Sequence, residues 1–263
     1  VTLRVRAVPM ASGRDRALNL SVVLAEIAAA ATAGVRLLVL PEYATAFDPR
    51  GVDADLAEGV DGPVVAEVRE ASARAGVAVV LGTVVPGARA GRAANVVVVV
   101  DGGRVVGEYR KVHLYDAFGH RESERLDAGA PGAAPVVVEV DGMHVGVMTC
   151  YDLRFPESAR RLVDAGATVL VVPAAWAAGP GKADQWDVLL RARAVEDVSY
   201  VVAAAQTGRG VVGDSQVVDA RGVVLGRGSA DAVDVELDPA HVQEQRRLNP
   251  SLQNRRYRVV PAP

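Results

Sequence analysis

Apolar and polar positions along the chain fall into short apolar runs separated by longer Ala-rich stretches, so strands and helices are predicted to alternate throughout. Strands are expected at Leu3–Pro9, Leu37–Leu40, Val77–Thr83, Asn95–Asp101, Arg104–Arg110, Val136–Val140, Met143–Thr149, Thr168–Val172, Tyr200–Gln206, Ser215–Val218 and Val223–Gly226. Helices are expected at Ala17–Ala33, Pro63–Ala75, about Phe155 to Ala165, and Gln185–Asp197. Punctuation supports these limits. Gly62 and Gly76 flank the second helix, and Asp101-Gly102-Gly103, Asp141-Gly142 and Arg221-Gly222 mark hairpin turns.

The two halves of the pattern resemble each other. Gly34–Pro41 matches Gly166–Pro173, each preceded by a helix and followed by a further helix and strand. The hairpin Val100–Gly107 then matches Val218–Leu225. Three matches in one order suggest an internal duplication, with a period too long for a solenoid. Two α/β halves, each with one helix-covered sheet, can bury their bare sheet faces together. The expected fold is therefore a four-layer α-β-β-α sandwich forming a single domain over 1–263.

Composition narrows the function classes. The 263 residues are half hydrophobic, with 23% charged and a net charge of −3. A nucleic-acid partner is not expected, because the only basic cluster is Arg246-Arg247 with Arg255-Arg256, read as a solvated face or an oligomer contact. No apolar run approaches the ~18 residues of a membrane span. The start, Val1-Thr2-Leu3-Arg4-Val5, alternates like a strand, and no signal peptide is expected. The single cysteine excludes an intrachain disulfide and points to a reducing, cytoplasmic setting.

That cysteine, Cys150, falls between the strand ending at Thr149 and a turn that enters a helix near Pro156. Free N–H groups there favour a thiolate and an anionic intermediate; the alternative is a buried structural cysteine. Glu42 follows the apolar strand Leu37–Leu40 and Pro41, and Lys111 follows the strand ending at Arg110. Alone, each reads as an ordinary surface charge. Together, an acid, a lysine and a cysteine at three strand ends mark the edge where α/β folds assemble sites. The histidines His113, His120, His144 and His241 lack metal-ligand spacing, and neither a metal nor another cofactor is expected. His113 is expected to support Lys111. Gly226-Arg227-Gly228-Ser229 lacks the context of a nucleophile elbow. Gly179-Pro180-Gly181-Lys182 reads as a loop over the site mouth rather than a nucleotide loop.

Pro41-Glu42-Tyr43, Tyr109–Leu114 and Gly146–Glu157 resemble the three signature segments of the nitrilase superfamily of carbon–nitrogen hydrolases, and Leu189–Glu196 and Gly213–Asp219 resemble its supporting segments. The resemblance covers nearly the whole chain. It implies an α-β-β-α sandwich with Glu42 as base, Lys111 as oxyanion clamp and Cys150 as nucleophile. Cys150-Tyr151-Asp152 departs from the Cys-Trp-Glu of authentic nitrilases, and the chain is most similar to the branch of omega-amidases and deaminated-glutathione amidases. His120–Ser123 aligns with that branch's Glu-Ser segment, which makes Glu122 similar to a second active-site glutamate. Tyr43 and Asp214 depart from the family pattern.

The expected activity is hydrolysis of a small carboxylate-bearing amide through a thioester, releasing ammonia. The Tyr151 N–H is expected to help hold the oxyanion. Arg154 is a candidate carboxylate anchor, or else a structural partner of Glu157 or Asp152. Tyr43, Tyr115, Phe118 and Trp176 are expected to wall the pocket. N-carbamoyl amino acids and nitriles are the alternative substrates, acyl transfer the alternative reaction, and a non-catalytic scaffold the alternative class. A homo-oligomer, at least a dimer, is expected by resemblance, with the segment from about His241 to Pro263 packing across the other half or a partner subunit.

Overall fold

The computed structural model describes residues 1–262. Its elements run β1 (Leu3–Ala7), α1 (Arg16–Thr32), β2 (Leu37–Val39), α2 (Pro63–Ala75), β3 (Ala78–Pro86), β4 (Ala93–Asp101) and β5 (Arg104–Arg110) through the first half. The second half continues with β6 (Val137–Val140), β7 (Met143–Val147), α3 (Pro156–Asp164), β8 (Val169–Ala174), α4 (Lys182–Asp197), β9 (Tyr200–Ala205), β10 (Ser215–Val218) and β11 (Val224–Gly228). The chain then adds β12 (Val233–Leu237) and α5 (Pro239–Leu248).

The strands form two six-stranded sheets, ordered β12-β1-β2-β3-β4-β5 and β11-β10-β9-β8-β7-β6. Two-residue periodicity gives every central strand two buried faces. In β4, Val97 and Val99 face the core between the sheets, whereas Val96, Val98 and Val100 face the helices. Val145, Val171 and Val202 of the second sheet meet the first across the same central core. Val23, Ile27, Val65 and Val68 of α1 and α2 cover one outer face, and Leu162, Trp186 and Leu190 of α3 and α4 cover the other. The result is the expected four-layer α-β-β-α sandwich.

The duplication extends to topology. β2-β3 and β8-β9 pair parallel, and β3-β4-β5 and β9-β10-β11 continue antiparallel. Register shifts fall at equivalent places, Val99/Val100 and Val217/Val218.

Three expectations need correction. Strand β12 and helix α5 were not predicted. β12 returns to the first sheet and pairs antiparallel with β1, in the place that β6 holds beside β7. Helix α4 begins at Lys182 rather than Gln185. In the C-terminal segment only Val242 is buried, between the sheets, and Arg246, expected on a solvated face or an oligomer contact, instead donates to the carbonyls of Ala167 and Val198. Arg246 is therefore part of this chain's own second half and not a rim residue. No helix among the described residues is long and apolar enough to cross a membrane.

Candidate active site

Strands β2, β5 and β7 end on one side of the sandwich, and Glu42, Lys111 and Cys150 lie just past those ends. After β2 the chain turns through Pro41-Glu42-Tyr43, with Tyr43 in the left-handed region at φ 60°. Gly82 of β3 permits this turn: a Cβ there would lie 2.4 Å from the Pro41 carbonyl oxygen and 2.6 Å from Glu42 Cα. Glu42 is fully buried. Its Oε1 accepts from Asn95 Nδ2 at 2.6 Å and Lys111 Nζ at 2.9 Å, and its Oε2 accepts from the Ala175 N–H at 2.7 Å. A buried carboxylate is tolerable only with such partners.

Lys111 leaves β5 with its N–H on the Asn95 carbonyl. Its ammonium bridges two carboxylates, Glu42 and, at 2.8 Å, Glu122 Oε2. Burial works against this cation, but Glu122 and Glu42 outweigh it and hold its pKa well above the ordinary value. Glu122 belongs to a 3₁₀ turn, Glu122–Glu124. Its Oε2 also accepts the Tyr115 N–H at 2.7 Å, and its Oε1 accepts the Tyr43 hydroxyl at 3.0 Å.

Cys150 opens a 3₁₀ turn, Cys150–Arg154, after β7 and stands at φ 46°. Left-handed backbone at a non-glycine residue is strained and persists only where neighbours fix it. Here Thr149 Oγ1 donates to the Pro173 carbonyl at 2.7 Å, and the Thr149 N–H donates to Asp152 Oδ2 at 3.0 Å. Arg193 of α4 grips the Leu153 carbonyl with two N–H groups. The thiol is buried beside Glu42 and Lys111. Burial pushes the thiol well above its ordinary value, Glu42 pushes the same way, and Lys111 opposes without winning. The turn's N–H groups were expected to favour a thiolate. Desolvation is the larger effect and raises the thiol's pKa.

A cavity of about 410 Å³ reaches Cys150 and is lined by Glu42, Tyr43, Tyr115, Glu122, Tyr151, Arg154 and Trp176. Glu42, Glu122 and Cys150 thus share one cavity, and Lys111 is hydrogen-bonded to both of its glutamates. Phe118 is the exception among the expected walls. It stands exposed outside the lining, with Lys182 Nζ 3.3 Å from its ring centroid. Arg154 pairs with neither Glu157 nor Asp152. It donates to Gln185 Oε1 at 2.6 Å and lies over Trp176, its Cζ 4.8 Å from that ring's centroid. His113 does not reach Lys111: its Nδ1 is 2.7 Å from Asp152 Oδ1, and its ring stacks on Phe155. Asp214 stays outside the cavity, where its carbonyl accepts the Trp186 indole N–H.

Sequence reasoning missed Lys182, which lines the cavity and is 7% exposed. The available signal is a lysine following the two glycines of Gly179-Pro180-Gly181-Lys182. It also missed Asn95 and Asp152, whose roles depend on contacts across strands.

The profile of the carbon–nitrogen hydrolase family matches residues 4–247. A deaminated glutathione amidase of Escherichia coli O157:H7 is 40% identical over 243 residues, covering 91% of this chain and 92% of the relative. Among solved structures, XC1258 of Xanthomonas campestris, a CN-hydrolase superfamily protein with an arsenic adduct in its active site, superposes with a TM-score of 0.86 at 27% identity, covering 99% of each chain. A variant amidase of Nesterenkonia sp. AN1, showing covalent addition of the acetamide moiety of fluoroacetamide at its active-site cysteine, gives a TM-score of 0.79 at 27% identity, covering 97% of this chain and 94% of that one.

Proposed function

The chain belongs to the carbon–nitrogen hydrolase family, and from that premise we propose that it cleaves a small carboxylate-bearing amide through a thioester on Cys150, releasing ammonia. The observation that carries this reading is the Lys111 ammonium, held between Glu42 and Glu122 beside a buried thiol at the cavity.

Glu42 takes the thiol proton as Sγ attacks the carbonyl carbon, so no free thiolate needs to accumulate. Lys111 and the Tyr151 N–H hold the developing oxyanion. The tetrahedral intermediate collapses, Glu42 returns the proton to the departing nitrogen, and ammonia leaves. Glu42 then activates water, which attacks the thioester and restores the thiol. Glu122 keeps Lys111 in place and charged. Tyr115 and Tyr151 pack edge to face, 5.0 Å between centroids, and with Trp176 wall the acyl group.

Arg154 lines the cavity and makes no ion pair among the described residues, which suits it to anchor the substrate's carboxylate. With the name of the E. coli relative, this makes 2-oxoglutaramate and deaminated glutathione the first substrates to try. The test is ammonia release across these compounds, N-carbamoyl amino acids and nitriles, with each carboxylate compared with its neutral analogue by kcat/KM. Equal rates on neutral analogues would remove the carboxylate from the reading. A homo-oligomer belongs to the same proposal, supported by the exposed Val188, Val195 and Val223 on and beside the outer face of α4. A cytoplasmic setting is proposed on the lone thiol, which this chemistry needs in reduced form.

A further inference from the structure

The charged groups lining the cavity are nearly all matched. Glu42 and Glu122 share Lys111. Asp48 is held by Arg14 and Arg50, Glu124 lies 4.0 Å from Arg121, and Arg125 lies 3.8 Å from Asp53. Two lining cations, Arg154 and Lys182, have no carboxylate within ion-pair distance among the described residues.

Both cations lie against one ring, with Arg154 Cζ 5.8 Å and Lys182 Nζ 3.3 Å from the Phe118 centroid. Arg154 lies over the Trp176 ring, and the Lys182 carbonyl accepts the Trp176 N–H at 3.0 Å. Lys182 Nζ reaches the Tyr115 hydroxyl at 3.1 Å and the face of Phe118. A hydroxyl and a ring face solvate an ammonium but do not neutralise it. Burial and the neighbouring guanidinium both hold the Lys182 pKa below its ordinary value, the mark of a cation placed without its anion. The Arg154 Nε is also buried without a hydrogen-bond partner among the described residues.

We propose that Lys182 is the second arm of a carboxylate subsite, closing with Arg154 around the substrate's acid group. One carboxylate oxygen meets the guanidinium and the other meets the ammonium, while the amide carbon lies at Cys150. This rests on the carboxylate-bearing amide reading above and specifies it: the preferred substrate has an anion at one end and an unsubstituted amide at the other. The competing role for Lys182 is a tie that holds Tyr115 and Phe118 over the mouth.

The experiment measures kcat/KM for succinamate and succinamide with wild type, Lys182→Met and Lys182→Arg. Wild type is expected to favour succinamate. Lys182→Met is expected to cut the succinamate-to-succinamide ratio about ten- to a hundredfold, as for loss of a hydrogen bond to a charged group, and Lys182→Arg to keep most of it. A mere tie predicts equal losses on both substrates, and an unmoved ratio overturns the subsite. A wild type that does not favour succinamate overturns the carboxylate reading itself. Calorimetric titration of succinamate into Cys150→Ala, with and without Lys182→Met, reads the subsite without turnover. Binding weakened at least tenfold is expected, and equal affinity again overturns the subsite. Thermal melting of each variant separates these outcomes from unfolding.

Discussion

The hydroxyl of Tyr43 donates to Glu122 Oε1 at 3.0 Å, from the residue next to Glu42 to the second carboxylate on Lys111. The left-handed backbone of Tyr43 aims its ring toward Glu122. Burial, then the Glu122 charge, pushes the phenol well above its ordinary value, so it remains a donor at any working pH. Tyr43→Phe keeps the stacking on Phe47, 5.9 Å between centroids, and removes only the hydrogen bond. We expect kcat to fall on the order of tenfold with a small change in Tm. In a Glu122→Gln background the same change is expected to cost little more, because Tyr43 acts through Glu122. Additive losses would separate the two residues.

Cys150 carries the covalent step in the proposed mechanism, and Cys150→Ala is expected to lower turnover by about 10³-fold or more. The raised thiol also predicts reactivity in the resting enzyme. Iodoacetamide labelling should be slow at neutral pH and still rising above pH 9, since the thiolate fraction grows only as pH nears the elevated pKa. A labelling rate that levels off by about pH 7 would contradict the burial argument. Slow labelling alone therefore does not mark a scaffold protein; turnover decides between a scaffold and an enzyme.

Much of the site was legible because strand ends are legible. Glu42, Lys111 and Cys150 each follow an apolar run, and the ends of β2, β5 and β7 meet at one side of the two packed sheets. The internal match of Gly34–Pro41 with Gly166–Pro173 became β2 and β8 at equivalent places in the two sheets. What escaped depends on long-range pairing. β12 is short, with only Val233 and Leu237 buried, and it forms because β1 offers an open edge. Local N–H groups around Cys150 are visible in sequence, whereas the burial that raises its thiol's pKa is not. Lys182 was passed over because its segment resembled nothing beyond a mouth loop, and its significance is an anion that the chain does not supply.

Asp152 braces the nucleophile turn against the strand that carries Lys111. Its buried carboxylate accepts the Tyr109 hydroxyl at 2.7 Å, the Thr149 N–H at 3.0 Å and the His113 N–H at 3.3 Å, and meets the His113 ring nitrogen at 2.7 Å. Asp152→Asn puts an NH₂ group among these donors. The expected cost is about 1–3 kcal/mol of stability and a drop in kcat of tenfold or more, read by urea unfolding and ammonia release. Wild-type values for both would show that the brace is dispensable.

The oligomer reading has its own check. Val188 and Val195 lie on the exposed side of α4, with Val223 close by. Val188→Asp together with Val195→Asp is expected to shift the sedimentation of micromolar protein toward the monomer. A wild type that sediments only as monomer would refute the assembly.

Asp197, at the end of α4, makes stability pH-dependent in an unusual direction. It is fully buried. Arg160 Nε lies 3.1 Å from Oδ1, but the alignment is not that of a hydrogen bond, and neither carboxylate oxygen has a donor among the described residues. Burial pushes the carboxyl from 3.8 up to about 7, and Arg160 offsets only part of that. The folded state therefore binds a proton that the unfolded chain has released, and this lowers stability as pH rises from about 4 to about 7. The full shift is worth at most ~4 kcal/mol. Asp48 and Asp127 act oppositely: their arginine partners hold them below the usual range, and their contribution is lost as pH falls through acid values. Wild-type stability should then peak in the mildly acidic range. Asp197→Asn carries no titratable proton, so its stability relative to wild type should grow from pH 5 to pH 8 in urea unfolding. A difference that stays flat across that range would mean that Arg160 keeps Asp197 ionised throughout.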